Sequence, residues 1–349
     1  MSNIDYTESP EAAAAYRARY EEGLRAYTAS CETQAEDIRK SRAAAIFRDP
    51  EKSRKELCQM LGAPLGGRFP EAKLLEKTYV ADIDGCAVYR TVMEAIPGLP
   101  FYGLLFEQKD GGRYPLVISQ HGGLGTPELC STMYETGSSN YNDMTRRLLK
   151  YKVNIYAPQL YLWRDADENG INRMDERRHA LDTSLKACGS SITAVELYCI
   201  GCALSTLSAY ENMDSTRIGM AGLSYGGLYT MLMAAVDTRI KAAVSSSFFG
   251  GIVSTHHSDW NWQSCALQFE DAELAALTWP RDITYLMGDQ DPLFDYKFSQ
   301  QQFDELKAVS GGLPIEAHIR FKTFEGPHEF CKDDAYIAHM MDVLGARKA

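Results

Sequence analysis

The sequence predicts an α/β fold in which helices flank a mostly parallel sheet. Short apolar runs alternate with stretches of helical spacing, and six of these runs have the length and composition of buried strands. They are PLVIS, VNIYAP, RIGMAG, IKAAVSSS, DITYLMG and IEAHIRFKTF. Strands joined through helices run parallel, because each crossover returns the chain to the same edge of the sheet. Helices are expected at residues 142–151, 190–210, 225–235, 296–309 and 333–344.

The N-terminal part is predicted to be a helical segment, residues 1–75, ahead of a larger domain at residues 76–349. Residues 10–61 are rich in Ala, Glu, Arg and Lys, and large side chains recur there every three or four residues. These side chains are Tyr16, Tyr20, Leu24 and Tyr27. A glycine and proline cluster, LGAPLGGRFP, ends the segment. Because one face of such a helix must be covered, we expect it to pack on the larger domain or to join a homodimer.

The larger domain is predicted to begin with three β-rich runs, residues 79–83, 87–92 and 101–106. Aromatic and β-branched residues are frequent in these runs, which is typical of strands. We therefore expect the sheet to start with these strands, before the alternating part of the chain begins.

Composition limits the classes of function and of partner. The chain has 349 residues and a formal net charge of -11, which argues against nucleic acid, because affinity for phosphates needs clustered Lys and Arg. Nine cysteines lack the spacing of a disulfide scaffold, so we expect them to be reduced. The first residues, MSNIDYTESPEA, show no signal-peptide pattern, and no apolar run approaches the length of a membrane helix. These observations predict a cytoplasmic protein without a membrane partner.

Residues 222–226 read Gly-Leu-Ser-Tyr-Gly and fit the pattern G-x-S-x-G between a predicted strand and a predicted helix. Glycines leave room for a tight turn that lifts the Ser224 hydroxyl above the edge of the sheet. A dinucleotide-binding loop is the rival interpretation, but the spacing is not G-x-G-x-x-G and no G-K-[ST] follows. The motif therefore predicts that Ser224 is a nucleophile.

A serine nucleophile needs a base and a group that orients this base. With this motif the expected chain order is serine, acid, histidine. His328 in FEGPHEF follows the last predicted strand and is expected to be the base, whereas His318 and His339 fall within predicted elements. Asp291 in YLMGDQDPLF follows a buried strand and is expected to be the acid. The alternatives for the acid are Asp289 and Asp259.

Two N–H donors must stabilise the oxyanion that forms when a serine attacks a carbonyl. One is expected to be the backbone N–H of Tyr225, the residue after the nucleophile. The other is expected in the loop HGGLG, at Gly123, with Gly122 or Leu124 as the alternative. His121, the first residue of this loop, is expected to be structural.

With these residues assigned, the chain from about residue 76 to 344 resembles the α/β-hydrolase superfamily, and within it the acetyl xylan esterase-like and dienelactone hydrolase-like branch. The resemblance lies in YPLVISQHGG, DSTRIGMAGLSYGG, DTRIKAAVSSS, LAALTWPRDITYLMGDQDPLF and GPHEF. It implies an α/β-hydrolase catalytic domain at residues 76–349 and a serine esterase that needs no cofactor. The cysteine nucleophile of dienelactone hydrolase proper is absent, and the helical N-terminal segment matches no motif of the family.

Three tryptophans on the carboxyl side of the sheet are expected to line the substrate pocket, with the packing of a lid as the alternative. They are Trp163, Trp260 and Trp262. The stretch DADENGINRMDE, residues 165–176, matches a calcium-loop pattern, but a strand-like run precedes it where a helix should stand. Cys199 and Cys202 fall within a predicted apolar helix. Neither pattern is therefore assigned a function, and no metal site is predicted.

The sequence thus predicts a serine hydrolase that cleaves a carboxylic ester through an acyl-enzyme, for instance an acetyl or other short acyl ester of a carbohydrate or small molecule. One alternative is a peptidase or amide hydrolase of the prolyl oligopeptidase-like type, but the chain has no propeller-sized domain to gate peptides. The other is a noncatalytic hydrolase-fold binding protein, which the complete set of Ser224, Asp291 and His328 disfavours. The acyl and alcohol groups of the substrate are not indicated.

Overall fold

A computed structural model describes residues 6–167, 170–252 and 257–349. In these ranges nine strands form one sheet. The strands are β1 (Lys73–Ile83), β2 (Cys86–Ile96), β3 (Leu99–Gln108), β4 (Tyr114–Gln120), β5 (Asn154–Pro158), β6 (Met213–Leu223), β7 (Ile240–Ser246), β8 (Asp282–Gly288) and β9 (Ile319–Phe324). The α-helices are α1 (Ala14–Arg48), α2 (Pro50–Leu61), α3 (Pro127–Cys130), α4 (Met144–Leu148), α5 (Met174–Ala187), α6 (Ile192–Ser208), α7 (Tyr225–Val236), α8 (Asp271–Ala276), α9 (Tyr296–Val309) and α10 (Ala335–Val343).

The sheet has the strand order β1-β2-β3-β5-β4-β6-β7-β8-β9, and its strands from β5 to β9 pair in parallel. The chain winds from β4 to β5 on one side and then returns to β6 on the other, so the winding direction reverses between β4 and β6. Open α/β sheets bind ligands outside the carboxyl ends of the strands at such a reversal. The predicted α/β fold with a mostly parallel sheet is confirmed.

The strands β1, β2 and β3 form the antiparallel edge of the sheet. They match the three β-rich runs of the sequence. Asp84 and Gly85 connect β1 to β2, with φ angles of 48° and 82°. A two-residue Asp-Gly turn with both φ angles positive suits the twist of a hairpin. This edge therefore follows from local turn chemistry, and β3 then joins the parallel part by pairing antiparallel with β5.

Within the described ranges, the rest of the chain covers only the second part of the N-terminal segment. Buried Arg39 of α1 donates to the carbonyl of Ala266 at 3.0 Å and lies 3.3 Å from the Glu273 carboxylate. In α2, Leu57 and Leu61 are buried in the main core. The large side chains in the first half of α1 are instead 47–75% exposed; they are Tyr16, Tyr20, Leu24 and Tyr27. A homodimer that covers this face stays a prediction.

Helix α7 is buried along its whole length. It packs on β6 and β7 and also contacts α2, α6 and α8. Its sequence, YGGLYTMLMAAV, contains no charged residue, as a helix enclosed on all sides requires. The first residue of this helix is Tyr225, so the packing of α7 fixes the backbone that follows Ser224.

Some local predictions differ from the structure; the short helices α3 and α8, for instance, were not predicted. Helix α5 was not predicted, because the acidic stretch at 165–176 was interpreted as a loop, of which residues 168–169 lie outside the described ranges. His318 follows a short 3-10 turn, Ile315–Ala317, and precedes β9 rather than lying inside a strand. Within the described ranges no helix combines the length and the apolar character needed to cross a membrane.

Candidate active site

Ser224 stands on a tight turn between β6 and α7. Its backbone has a φ of 59° and a ψ of -121°, which residues with a side chain rarely adopt. A Cβ on Gly222 would lie 2.2 Å from the carbonyl oxygen of Gly226, and a Cβ on Gly226 would lie 2.2 Å from that of Gln120. The glycines of the motif are therefore required by close backbone contacts, and the turn presents Ser224 at the carboxyl edge of the sheet.

His328 and Asp291 form a hydrogen bond beside this turn. The His328 Nδ1 lies 2.7 Å from Oδ2 of Asp291. The other carboxylate oxygen, Oδ1, accepts the backbone N–H groups of Leu293 and Phe294, at 2.8 and 3.2 Å. An ionised carboxylate at Nδ1 favours the tautomer that carries its proton there and leaves Nε2 as a proton acceptor. Ser224 and His328 line the same pocket.

The alternative candidates for the acid and the base have other partners. Asp289 accepts a backbone N–H from the loop before His328, at 3.1 Å. Asp259 lies 2.6 Å from Arg178. The two other histidines near the C-terminus both bond to Asp282, at 3.1 and 2.9 Å; they are His318 and His339. The geometry thus brings His328 together with Asp291 and not with its alternatives.

The backbone of Gly122 is held through both its carbonyl oxygen and its N–H. Its carbonyl oxygen lies 2.8 Å from Nδ1 of His121, and the preceding Gly122 N–H donates to the Tyr141 hydroxyl at 2.9 Å. Because Nε2 of His121 accepts the Leu160 N–H at 2.8 Å, Nδ1 carries the proton and donates it to this carbonyl. A trans peptide directs its C=O and N–H to opposite sides, so the Gly123 N–H points away from His121.

His121 is therefore a structural residue that orients the predicted oxyanion donor. Burial lowers the pKa of its imidazole to about 4, so the ring is neutral at pH 7, as this bonding pattern requires. Tyr225 is the first residue of α7, where N–H groups have no acceptor within the helix. Gly123 and Tyr225 both line the pocket with Ser224, whereas the N–H of Gly122 is already bonded to Tyr141. The oxyanion role of Gly123 and Tyr225 stays a prediction.

The pocket around Ser224 has a volume of about 700 Å³. One part of its lining is aromatic and apolar, formed by Tyr225, Trp260, Leu293, Phe294 and Phe298. Another part is polar, formed by Asn140, Asp175, His257 and Asp295. Asn140 also donates to the backbone carbonyl of His328 at 3.0 Å and so helps to hold the backbone of the base in place. These dimensions suit a small molecule.

Of the three tryptophans predicted to line the pocket, only Trp260 is among its described lining residues. Trp163 lines a neighbouring apolar cavity of about 750 Å³, because its ring packs edge-on against Tyr161, with centroids 4.9 Å apart. Trp262 is buried in the main core. Trp163 and Trp262 are therefore not among the described residues that line the Ser224 pocket, and their part in substrate binding stays a prediction. His256 lies outside the described ranges.

A buried ionic network supports the wall that carries Trp260, and the sequence did not predict it. The guanidinium of Arg178 donates to Asp259 at 2.6 Å and to Glu196 at 2.9 Å. Asp259 in turn accepts the Tyr225 hydroxyl at 3.1 Å. The network thus ties α5 and α6 to the segment before Trp260 and to the side chain of Tyr225. No local pattern could reveal it, since Arg178 and Asp259 are 81 residues apart.

One cluster of metal-ligating side chain types lies beside this network. Ligand atoms of His179, His257 and Asp259 all lie within 4.8 Å of one another. The carboxylate of Asp259, however, already accepts from Arg178 and Tyr225. A guanidinium bonded to the carboxylate repels a second cation there. We therefore assign Asp259 to the ionic network, and the absence of a cofactor stays a prediction.

The two other patterns noted in the sequence have structural partners. Cys199 and Cys202 are buried in α6, and burial raises the pKa of these thiols to about 12 and about 11. Both side chains are therefore unreactive thiols at neutral pH. In the acidic stretch, Asp165 pairs with Arg177 at 2.5 Å. These contacts agree with the structural interpretation of both patterns.

Comparison with known proteins places this chain in a family. The model of the dienelactone hydrolase family matches residues 132–336, more than half of the chain. A glucuronoyl esterase from Solibacter usitatus is similar in structure, with a TM-score of 0.63, 12% identity, and coverage of 85% of this chain and 92% of that one. An acetyl xylan esterase from Thermoanaerobacterium sp. JW/SL YS485 gives a TM-score of 0.55 at 12% identity, with coverage of 84% and 93%.

A cold-adapted esterase from an Arctic intertidal metagenomic library gives a TM-score of 0.53 at 18% identity, with coverage of 76% of this chain and 97% of that one. At such low identities these likenesses establish the fold, and the family match establishes the relationship. The expected α/β-hydrolase fold and the expected class of carboxylic ester hydrolase are confirmed. The chain therefore belongs to the dienelactone hydrolase family.

Proposed function

We propose that the protein hydrolyses its ester through an acyl-enzyme, with Ser224 as nucleophile, His328 as base and Asp291 as the group that orients this base. The main support is the 2.7 Å contact between His328 Nδ1 and Asp291 Oδ2, in a pocket that Ser224 also lines. An alcohol is a weak nucleophile at neutral pH, and a neutral imidazole held in this tautomer is a suitable base for it.

In the first half of the reaction, Nε2 of His328 takes the proton of the Ser224 hydroxyl while Oγ bonds to the ester carbonyl carbon. The carbonyl oxygen becomes an oxyanion and accepts the N–H groups of Gly123 and Tyr225. The C–O bond to the alcohol then breaks, and the alcohol leaves with the proton from His328. Asp291 stays ionised throughout and stabilises the imidazolium.

In the second half, a water molecule gives its proton to Nε2 of His328 and attacks the acyl-enzyme at the same carbon. The same two N–H groups stabilise the second oxyanion. When the bond from the acyl carbon to Oγ breaks, Ser224 regains its proton and the carboxylic acid leaves. The site is then ready for another ester.

We propose a short acyl ester of a carbohydrate or small molecule as the substrate. A pocket of about 700 Å³ falls within the range of small-molecule sites. The glucuronoyl and acetyl xylan esterases bear names that describe esters of carbohydrates, and this supports acetylated sugars as first candidates. If the protein hydrolysed aminoacyl anilides faster than these esters, the alternative function of an amide hydrolase would instead be favoured.

The experiment compares para-nitrophenyl acetate and acetylated sugars as substrates of the wild type and Ser224→Ala. We expect kcat to fall by roughly 10⁴ to 10⁶, because members of a triad act as a unit. Ser184→Ala is the matched control. The Ser184 hydroxyl lies at an exposed position of α5 and bonds to the backbone of that helix, so this variant should leave kcat unchanged. A Ser224→Ala protein that keeps a tenth of the wild-type rate would exclude Ser224 as nucleophile.

A further inference from the structure

The charged side chains that line the Ser224 pocket are acidic. Asp175, in the first turn of α5, and Asp295, before the start of α9, both contribute to its described lining. That lining includes no lysine or arginine. Residues 168–169 and 253–256, outside the described ranges, include none in their sequence either. A carboxylate bound here would therefore face like charges without a cation from the described lining.

The guanidinium behind the pocket wall does not offset these charges. The side chain of Arg178 is only 1% exposed, and it already donates to Asp259 and Glu196. One guanidinium and two carboxylates leave this group with a net charge of -1. Asp291, hydrogen-bonded to Nδ1 of His328, adds another carboxylate next to this pocket. The buried groups thus reinforce the acidic lining.

The charges of the pocket lie close enough to act on any substrate inside it. A volume of about 700 Å³ corresponds to a width of roughly one Debye length at physiological ionic strength, which is about 8 Å. Salt therefore screens these interactions only in part across the pocket, although Asp175 and Asp295 are themselves exposed side chains. Walls of low polarity strengthen them further, and Trp260, Phe294 and Phe298 provide such walls.

Asp295 has a defined position relative to the reaction. It follows Phe294, whose ring lies 5.6 Å from the ring of His328, measured between centroids. Since His328 delivers the proton to the leaving alcohol, the alcohol part of an ester lies on this side. Asp295 lines the same pocket as Phe294 and His328, so a negative charge on the alcohol part would meet a like charge in this lining.

We propose that this pocket selects esters that carry no negative charge, with an aromatic or apolar group against its aromatic wall, and that Asp175 and Asp295 set this selectivity. The inference rests on the proposed function of Ser224. It separates this chain from any relative whose ester substrate bears a free carboxylate. Esters with a positive charge are accepted at least as well as neutral ones.

Three esters of nearly equal shape test the inference. They are para-acetoxybenzamide, para-acetoxybenzoate and para-acetoxybenzamidine, which are neutral, anionic and cationic at pH 7. Each kcat/KM is divided by the hydroxide-catalysed rate of the same ester, which removes differences in leaving-group reactivity. We expect the benzoate to be worse than the benzamide by roughly tenfold or more, or about 1.4 kcal/mol, and the benzamidine to equal or exceed the benzamide.

Variants assign this selectivity to the two carboxylates. In Asp175→Asn/Asp295→Asn, the benzoate-to-benzamide ratio of kcat/KM should move several-fold toward one. Asp295 caps α9 by accepting the Lys297 N–H, and asparagine caps a helix equally well, so the fold should be retained. Asp304→Asn, on α9 but outside the pocket lining, removes one negative charge elsewhere on the protein and should leave the ratio unchanged.

The outcomes are distinct. Equal kcat/KM for the benzoate and the benzamide, or a ratio that the double variant does not change, would overturn the inference while leaving esterase activity intact. Absence of Ser224-dependent hydrolysis of all three esters would overturn the proposed function and the inference with it. In the wild type, added salt should raise the benzoate rate relative to the benzamide rate.

Discussion

Replacing Asp291 with asparagine should remove most of the activity, because two backbone donors dictate how the new amide must lie. Oδ1 of Asp291 accepts the N–H groups of Leu293 and Phe294, at 2.8 and 3.2 Å. The amide oxygen of asparagine must take this position, since an NH2 group cannot accept a hydrogen bond. The NH2 group then faces Nδ1 of His328, where the carboxylate oxygen stood at 2.7 Å.

This geometry reverses the tautomer of the base. When the NH2 group of the asparagine donates to Nδ1, Nδ1 must be the acceptor, so the proton of the neutral ring moves to Nε2. Nε2 then cannot take the proton of Ser224. The same substitution in a serine protease triad lowers kcat by about 10⁴, which corresponds to about 5 kcal/mol of transition-state stabilisation. We expect a loss of similar size in Asp291→Asn.

The assay measures kcat and KM for para-nitrophenyl acetate in Asp291→Asn and in Asp289→Asn, with circular dichroism to verify folding. Asp289 accepts only a backbone N–H at 3.1 Å, a role that an amide oxygen can also fill, so its variant should lose less than about tenfold. The two variants change charge equally and lie two residues apart. A larger loss of kcat in Asp289→Asn than in Asp291→Asn, or less than a tenfold loss of kcat in Asp291→Asn, would contradict the role of Asp291 as the group that orients His328.

Three further predictions concern stability, assembly and metals. Burial, and secondarily the charge of Glu270, raises the pKa of Asp271 to about 8, so the folded state keeps a proton that the unfolded state loses above about pH 4. Its contribution to stability is therefore lost as the pH rises from about 4 to 8, and urea unfolding of Asp271→Asn should show a weaker decline over this range than the wild type. Deletion of residues 1–34 should turn the predicted homodimer into a monomer, which light scattering would show. Deletion of residues 1–60 also removes most of the partly buried helix α2 and should reduce stability or solubility, which urea unfolding would show. A protein without residues 1–60 that keeps its oligomeric state and its stability would contradict both expectations. A chelator should leave kcat/KM unchanged, because Asp259 is occupied by Arg178; loss of activity that zinc restores would contradict this assignment.

Local chemistry made much of the fold and the candidate triad predictable. The G-x-S-x-G turn depends on close backbone contacts around Gly222 and Gly226, and such steric demands are visible in the sequence as glycine. The positions of Asp291 and His328 after the parallel strands β8 and β9 follow from the rule that parallel strands end at one edge. Their geometry agrees with the predicted roles, which await kinetic tests.

Long-range contacts were not predictable. The partners of Arg178 come from α6 and from a segment 81 residues away, so no spacing rule connects them. His121 orients the Gly122 carbonyl only because a third residue, Leu160, sets its tautomer. A position on the carboxyl side of the sheet does not determine which cavity a ring enters, and Trp163 and Trp262 lie in a second cavity and in the main core.

In the proposed reaction, Ser224 carries the acyl group during turnover. The most direct test of this role is mass spectrometry of peptides from enzyme mixed with para-nitrophenyl acetate and quenched in acid within the first turnover. We expect the added mass of one acetyl group on the peptide that contains Ser224, and no added mass on the same peptide from Ser224→Ala. Steady hydrolysis with no acetyl group on Ser224, or with the group on another residue, would contradict the proposed role of Ser224.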